Sequence, residues 1–233
     1  MRIVTVYPDL LGTYGDRGNG LVLRRRAALR GIDVELIEAR SDGALPVADV
    51  YCIGGGEDGP QQLATERLAA DGTLQRAVDG GAVVLAVCAG LQVLGRSFPG
   101  PDGSRVEGLG LCAIDTVGGA GARAVGEVVV QGPSAIGALT GFENHAGRTT
   151  RDHAQPALGE VSVGVGNGDG SDGAFAARFV GTYLHGPVLA RNPRLADWLL
   201  ATALGTGPLG ELDDDPSQRL HDERLGAATA GRR

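Results

Sequence analysis

Lysine is absent from this 233-residue chain, whose 21 basic residues are all arginine. That excludes a lysine Schiff base and a lysine-bearing phosphate loop. The GxxxxGK(S/T) pattern is missing too, so ATP is not expected to bind through a Walker motif. With Gly and Ala abundant, the uniform use of arginine reads as coding bias rather than as a functional signal. Cysteine is scarce. Cys52, Cys88 and Cys112 are too few and too apolar in context for a disulfide scaffold, and no CxxC pair suggests zinc, so no metal site is expected. Nucleic-acid binding is not expected either: the formal net charge is −7 and the arginines are scattered apart from Arg24-Arg25-Arg26. That triplet reads as a solvated helix face. No apolar run approaches the length of a membrane span. The opening Met1-Arg2-Ile3-Val4-Thr5-Val6-Tyr7 reads as a strand rather than a leader, because its apolar run is short and Pro8-Asp9 breaks it. A reducing, cytoplasmic location is expected.

The chain is rich in glycine and in short apolar runs. The most informative run is Val83-Val84-Leu85-Ala86-Val87-Cys88-Ala89-Gly90-Leu91-Gln92-Val93-Leu94-Gly95. Unbroken β-branched and aliphatic residues predict a buried, parallel strand. Ala89 and Gly90 allow a sharp turn, and Leu91, Val93 and Leu94 can pack a short helix. Cys88 then sits where a strand hands over to a helix N-terminus. Unpaired amides there favour an anion, which is the arrangement of a nucleophile elbow built with sulfur. A buried core cysteine is the alternative for this stretch taken alone.

Other segments build a frame around it. Residues 2–7 read as the first strand. A long Gly/Asp-rich loop, Pro8 to Asn19, follows, and loops of that length are often functional. Asn19 is expected to cap the next helix, which Gly31 stops. Strands are expected at 33–37 and 49–53, the latter placing Cys52 in the core. It ends at Gly54-Gly55-Gly56, read either as a cradle of backbone N–H groups for an anion or as a plain strand-to-helix turn. A helix from Pro60 to about Val78 precedes the Cys88 strand. This order predicts an α/β fold, a mostly parallel open sheet flanked by helices, with its active edge at the C-terminal ends of the strands. Shorter strands at 108–117, 126–130 and 159–165 predict a mixed or antiparallel extension. The Gly/Asp/Asn stretch 164–173 is expected to be a mobile loop. The strand at Phe179-Val180-Gly181-Thr182-Tyr183-Leu184 delivers His185 into a Gly-Pro turn, and a helix from Asn192-Pro193 follows. Residues 1–204 are taken as one domain and 205–233 as a polar tail with at most one short helix near 216–226.

A cysteine and a histidine at two strand ends of one sheet edge can act together: the imidazole takes the thiol proton and the sulfur attacks a carbonyl carbon. Backbone N–H groups of Gly55 and Ala89 are candidate oxyanion donors, each worth around 3 kcal/mol in a transition state. His145 is a rival base, while His153 and His221 sit in polar contexts and are expected to be solvated.

Four motifs in order carry a resemblance: Ile53-Gly54-Gly55-Gly56, Val87-Cys88-Ala89-Gly90-Leu91-Gln92, Gly141-Phe142-Glu143-Asn144-His145-Ala146-Gly147-Arg148-Thr149 and Gly181-Thr182-Tyr183-Leu184-His185-Gly186-Pro187. Together they resemble class I-type glutamine amidotransferases of the cobyric acid synthase branch. Within that branch they are most similar to the GatD-type glutaminase subunit of lipid II isoglutaminyl synthase. The resemblance implies Cys88 as the nucleophile on the glutamine side-chain amide and His185 as the base and then the acid. It implies Arg123 as the group that holds the substrate carboxylate, although an exposed surface arginine is the alternative. It also implies a heterodimer with a MurT-type, Mur-ligase-like synthetase. ATP and Mg would be bound on that partner and no cofactor in this chain. Ammonia from L-glutamine would amidate D-glutamate in lipid II.

One departure stands out. Many class I amidotransferases carry a glutamate two residues after the catalytic histidine, where this chain has Pro187. The orienting acid would come from elsewhere in this chain, from the partner, or not at all, and a dyad completed on complex formation is the expectation. Competing readings are a cobalamin-pathway amidotransferase, a stand-alone Cys–His hydrolase and a catalytically inert binding subunit.

Overall fold

The computed structural model describes residues 1–119, 121–213 and 215–230. From the N-terminus, β1 (Arg2–Val6), α1 (Gly18–Ala28), β2 (Glu35–Ala39), β3 (Val50–Ile53), α2 (Asp58–Asp71), α3 (Thr73–Asp79), β4 (Val83–Val87) and α4 (Ala89–Leu94) form the first half. Seven short strands, β5 (Ser97–Pro99), β6 (Arg105–Glu107), β7 (Ile114–Gly118), β8 (Ala124–Gln131), β9 (Ala138–His145), β10 (Gly147–Arg151) and β11 (Gly159–Val163), follow. The chain then continues through β12 (Ser171–Asp172), β13 (Ala174–Ala176), β14 (Phe179–Thr182), α5 (Val188–Arg191), α6 (Pro193–Leu204) and α7 (Asp215–Ala230).

The main sheet has six strands in the order β13-β14-β4-β3-β1-β2. All pairings are parallel except β13 with β14. Every residue of β3 and β4 is buried, as their continuous apolar runs require of central strands covered on both faces. The expected extension consists of two further four-stranded sheets, β10-β7-β5-β6 and β12-β11-β8-β9. Their ladders are antiparallel apart from β5 with β7.

Several local expectations are corrected. The helix expected from Pro60 to Val78 is two helices, because Gly72 takes a left-handed φ of 67° that ends α2 and starts α3. Asn19 caps nothing. It lies inside α1, buried, with its side-chain oxygen accepting the Leu189 amide at 3.0 Å. Arg24 and Arg25 are exposed, but Arg26 is buried and grips Asp197 of α6 with two bonds of 2.7 and 2.8 Å. An arginine fork of this kind ties α1 to α6 as a charge-assisted clasp. The stretch 164–173 is tied down: Asn167 and Gly173 exchange two bonds of 2.9 and 3.0 Å. Two of the loop's amides, Val165 and Gly166, donate to Glu143. The tail carries a helix longer than expected. In α7, Ser217, His221, Leu225 and Ala228 recur at helical spacing as its half-buried stripe, against α5, β8 and β9. His221 is accordingly held, with Nδ1 at 2.9 Å from the Arg191 carbonyl. No helix among the described residues is long and apolar enough to cross a membrane.

Candidate active site

β4 drives straight through the core and releases the chain at Cys88, which is 6% exposed. Cys88 adopts φ 53°, a conformation that β-carbon-bearing residues rarely hold and that costs on the order of 1–3 kcal/mol. Its surroundings enforce this. The Cys88 amide donates to Thr182 O at 2.8 Å, and the Gly90 amide donates to Gly54 O at 3.1 Å. A Cβ on Gly90 would lie 2.7 Å from the Ile53 carbonyl, so only glycine fits at the second step of the elbow. Ala89 opens α4, where the first amides have no intrahelical acceptor.

β14 runs parallel to β4 with Thr182 opposite Val87. His185 therefore emerges beside Cys88. The His185 backbone exchanges two bonds with Phe142 of β9, at 2.9 and 3.0 Å, which fixes the turn. The imidazole is 3% exposed, and Nδ1 donates to Asp16 Oδ2 at 2.9 Å. Nε2 is buried with no hydrogen-bond partner among the described residues. Burial opposes the imidazolium, but the hydrogen bond to Asp16 and the charge of Cys88 and Asp16 outweigh it and push His185 up to about 10. Cys88, His185 and Asp16 thus share the C-terminal edge of the sheet.

A carboxylate reaches His185 from elsewhere in this chain, one of the three sources left open by Pro187. Asp16 lies 169 positions before His185, in the loop between β1 and α1, and is 2% exposed. Its Oδ2 also accepts the Gly55 amide at 3.0 Å. Gly55 N–H is therefore occupied, and its expected oxyanion role is corrected to one of holding Asp16. The triple glycine serves as clearance. A Cβ on Gly54 would run into the Leu11 carbonyl and lie 2.9 Å from Asp16 Cβ. On Gly55 it would sit 2.6 Å from His185 Cε1 and 3.1 Å from Tyr14 Cδ2, and on Gly56 2.7 Å from the Leu10 carbonyl. Three bare backbones let the 8–17 loop fold onto the strand ends and deliver Asp16 and Tyr14. The Gly/Asp-rich loop between β1 and α1 was the available signal, but which of its residues meets His185 depends on tertiary contacts.

The mouth is lined by three elements. Arg123 is exposed and its guanidinium bonds the Asn144 side chain, the Asn144 carbonyl at 3.1 Å and Tyr14 Oη at 3.4 Å. Tyr14 in turn donates to Glu57 Oε1 at 3.0 Å, and its ring lies tilted against His185 with centroids 4.7 Å apart. Arg123 thus stands one tyrosine away from the imidazole.

The rival base is structural. His145 is 2% exposed, and its Nδ1 faces Gly147 O at 3.1 Å, Nε2 faces Glu143 Oε2 at 3.3 Å, and the ring stacks on Tyr183 at 3.9 Å. Burial opposes the Glu143 carboxylate, but His145 and the amides of Gly166 and Val165 more than compensate and lower its pKa. Cys52 is sealed in the core, where burial pushes its thiol up to about 12. Among the described residues no group of three or more His, Cys, Asp or Glu could hold a metal ion.

Residues 2–193 match the CobB/CobQ-like glutamine amidotransferase domain. The chain is 38% identical to the lipid II isoglutaminyl synthase (glutamine-hydrolyzing) subunit GatD of Staphylococcus aureus, over 87% of this chain and 85% of that protein. It is 34% identical to the Streptococcus pneumoniae subunit of the same name, over 88% and 80%. A cobyric acid synthase of Mycolicibacterium gilvum is 33% identical over 76% of this chain, but only 34% of that protein is covered. A solved structure of PurLQS from Thermotoga maritima shares the fold, with a TM-score of 0.57 at 14% identity over 88% of this chain and 97% of that one. With its elbow cysteine, strand-end histidine and buried aspartate on one sheet edge, the chain belongs to the CobB/CobQ-like glutamine amidotransferase family.

Proposed function

We propose that this chain is the glutaminase subunit of a two-protein ligase that amidates D-glutamate in lipid II. The observation that carries the reading is the Asp16–His185–Cys88 set on the sheet edge of an amidotransferase-family chain. Coverage of the GatD relatives at 85% and 80%, against 34% of the cobyric acid synthase, favours lipid II over a cobalamin precursor as the destination of the ammonia.

In the proposed sequence Arg123 takes the α-carboxylate of L-glutamine, a planar fork suited to that group. His185 Nε2 accepts the thiol proton, and Cys88 Sγ adds to the carboxamide carbon. The Ala89 N–H stabilises the developing oxyanion. His185 then gives its proton to the departing nitrogen, leaving a γ-glutamyl thioester and ammonia. Water, deprotonated by His185, cleaves the thioester to glutamate and restores the thiol. Asp16 holds Nδ1–H throughout, so that Nε2 faces the sulfur and the imidazolium is stabilised. Ammonia becomes ammonium in water and loses its nucleophilicity, so the chain works docked against a Mur-ligase-like synthetase of the MurT type. That partner carries ATP and Mg and activates the glutamate carboxylate. The setting is the cytoplasmic face of peptidoglycan synthesis.

The test is co-expression with the neighbouring Mur-ligase-like protein and a glutamine-dependent lipid II amidation assay. The complex amidates lipid II with glutamine. The Cys88→Ala complex amidates only when ammonium is supplied. Unchanged glutamine-dependent amidation by Cys88→Ala would remove Cys88 as the nucleophile and the reading with it.

A further inference from the structure

An α-amino acid carries two opposite charges on one carbon, and only one of them has a recipient so far. An ammonium that gives up water beside the half-buried Tyr14 needs an acceptor to meet it. The mouth supplies a carboxylate in a suitable place. Glu57, at the end of the triple-glycine turn, is exposed and stands one hydroxyl away from Arg123. Tyr14 Oη donates to Glu57 Oε1 at 3.0 Å and receives Arg123 Nη2 at 3.4 Å. The acid comes from the residue before α2, the arginine from the residue before β8, and the tyrosine from the loop that carries Asp16. The Tyr14 ring runs from this charge pair back to His185, 4.7 Å from the imidazole. The site therefore has a nucleophile at one end and a separated positive and negative group at the other. L-Glutamine has a carboxamide at one end and a zwitterion at the other, joined by two methylenes.

Resting on the glutaminase reading, we infer that Glu57 is a specificity-determining residue that receives the α-ammonium of glutamine, with Tyr14 setting its distance from Arg123. Neither bond of the tyrosine hydroxyl is to a chain atom deep in the core, so an entering zwitterion replaces one weak bridge by two charge-assisted contacts. Tyr14 remains a donor at working pH, because burial raises its phenol pKa and the Glu57 carboxylate raises it further. Among the described residues only Oε1 of Glu57 is engaged, by Tyr14, so the ammonium need not displace the tyrosine.

The experiment uses the complex with the synthetase and two readouts. The first is kcat/KM for L-glutamine and for glutaramic acid, which is glutamine without its α-amino group. The second is protection of Cys88 from iodoacetamide by L-glutamate and by glutarate, which differ in the same group and need no turnover. In the wild type, glutamate protects at far lower concentration than glutarate. In Glu57→Gln, kcat/KM for glutamine falls about 10- to 100-fold, mostly through KM, the range set by one charge-assisted contact. Values for glutaramic acid and glutarate stay within about twofold, so the discrimination collapses. Tyr14→Phe loses part of it, as the carboxylate is released from its tether. Asp58→Asn, one residue further along, keeps it. Equal protection by glutamate and glutarate in the wild type would overturn the assignment, as would equal losses on both ligands in Glu57→Gln, or the same collapse in Asp58→Asn. Failure of the underlying reading looks different: glutamine hydrolysis would then survive Cys88→Ala whatever Glu57 does.

Discussion

Exchanging Asp16 for asparagine removes one charge and almost no volume. The amide oxygen can still accept the Gly55 N–H that now reaches Asp16 at 3.0 Å, so the 8–17 loop stays seated. What is lost is the carboxylate 2.9 Å from His185 Nδ1, on a side chain only 2% exposed. The oxygen that keeps Gly55 can also keep Nδ1–H, so the loss is the difference between a charged and a neutral acceptor, about 1–2 kcal/mol. At 1.36 kcal/mol per factor of ten, this corresponds to a fall of roughly 5- to 30-fold in kcat. The loss is smaller than the roughly 10⁴ seen for the acid of a serine triad, because a thiol gives up its proton more readily than a hydroxyl. The pH profile moves as well. Asp16 is one of the groups that push His185 up to about 10, and the imidazolium is the form that protonates departing ammonia. In Asp16→Asn the alkaline limb of kcat shifts down by about one to two pH units. Stability follows the same sign. A histidine raised above its unfolded value near 6.5 stabilises the fold fully below that pH, and the contribution disappears as pH climbs through about 10. The variant therefore loses most in Tm near pH 6 and least near pH 10. The assay is glutamine hydrolysis by the complex between pH 6 and 10, with thermal melts over the same range. If kcat of Asp16→Asn stays within twofold of the wild type and its alkaline limb does not move, Asp16 is not the orienting acid.

Three further substitutions separate clearance, structure and clasp. Gly55→Ala places a methyl 2.6 Å from His185 Cε1 and 3.1 Å from Tyr14, so glutaminase kcat falls at least tenfold while Tm drops by only the few degrees that about 1–3 kcal/mol of overpacking brings. His145→Ala empties a buried, stacked position and leaves Glu143 with only amide partners; unfolding in urea shows a loss of about 2–4 kcal/mol, and the folded enzyme keeps the wild-type pH profile, unlike His185→Ala, which is inactive. Arg26→Ala severs the bidentate clasp to Asp197, although Arg30 still reaches that carboxylate at 2.9 Å; a loss of about 1–3 kcal/mol with unchanged KM for glutamine is the expected outcome of melts and steady-state assays.

The elements legible in the sequence are those written in local pattern. The runs at 49–53, 83–87 and 179–184 became strands of the main sheet because apolar, largely β-branched residues suit a sheet covered on both sides. Two of those strands lead into Cys88 and His185, the residues proposed as nucleophile and base, and each position follows an apolar run. The helix break at Gly72 was missed because a single glycine inside a helical pattern is usually tolerated, and only its left-handed φ of 67° shows that it ends α2. Arg26 was misread because nothing in the triplet distinguishes the one side chain that turns inward; Asp197 on α6 does that, 171 residues away.

The acid is the instructive case. Asp16 sits in a loop without periodicity, and what brings it to His185 is written at two other places. His185 needs a partner for Nδ1 because its turn holds Pro187 where a glutamate would otherwise reach back. Gly54 and Gly55 clear the space for that partner to arrive from the other end of the chain. The triple glycine was read as a possible anion cradle, a role defined by the N–H groups it offers. Its larger contribution is the side chains it withholds, since a methyl at any of its three positions would collide with the 8–17 loop or the imidazole. Missing acid, bare turn and Asp-bearing loop are one compensating set, and each makes sense only with the other two. A relative with a carboxylate two residues after its histidine has no such need of the loop. The same clearance seats Tyr14, which holds Glu57. The loop that supplies the orienting acid therefore also spaces the two charges proposed to read the substrate, so that catalysis and selectivity in this chain depend on one segment lying flat against three glycines.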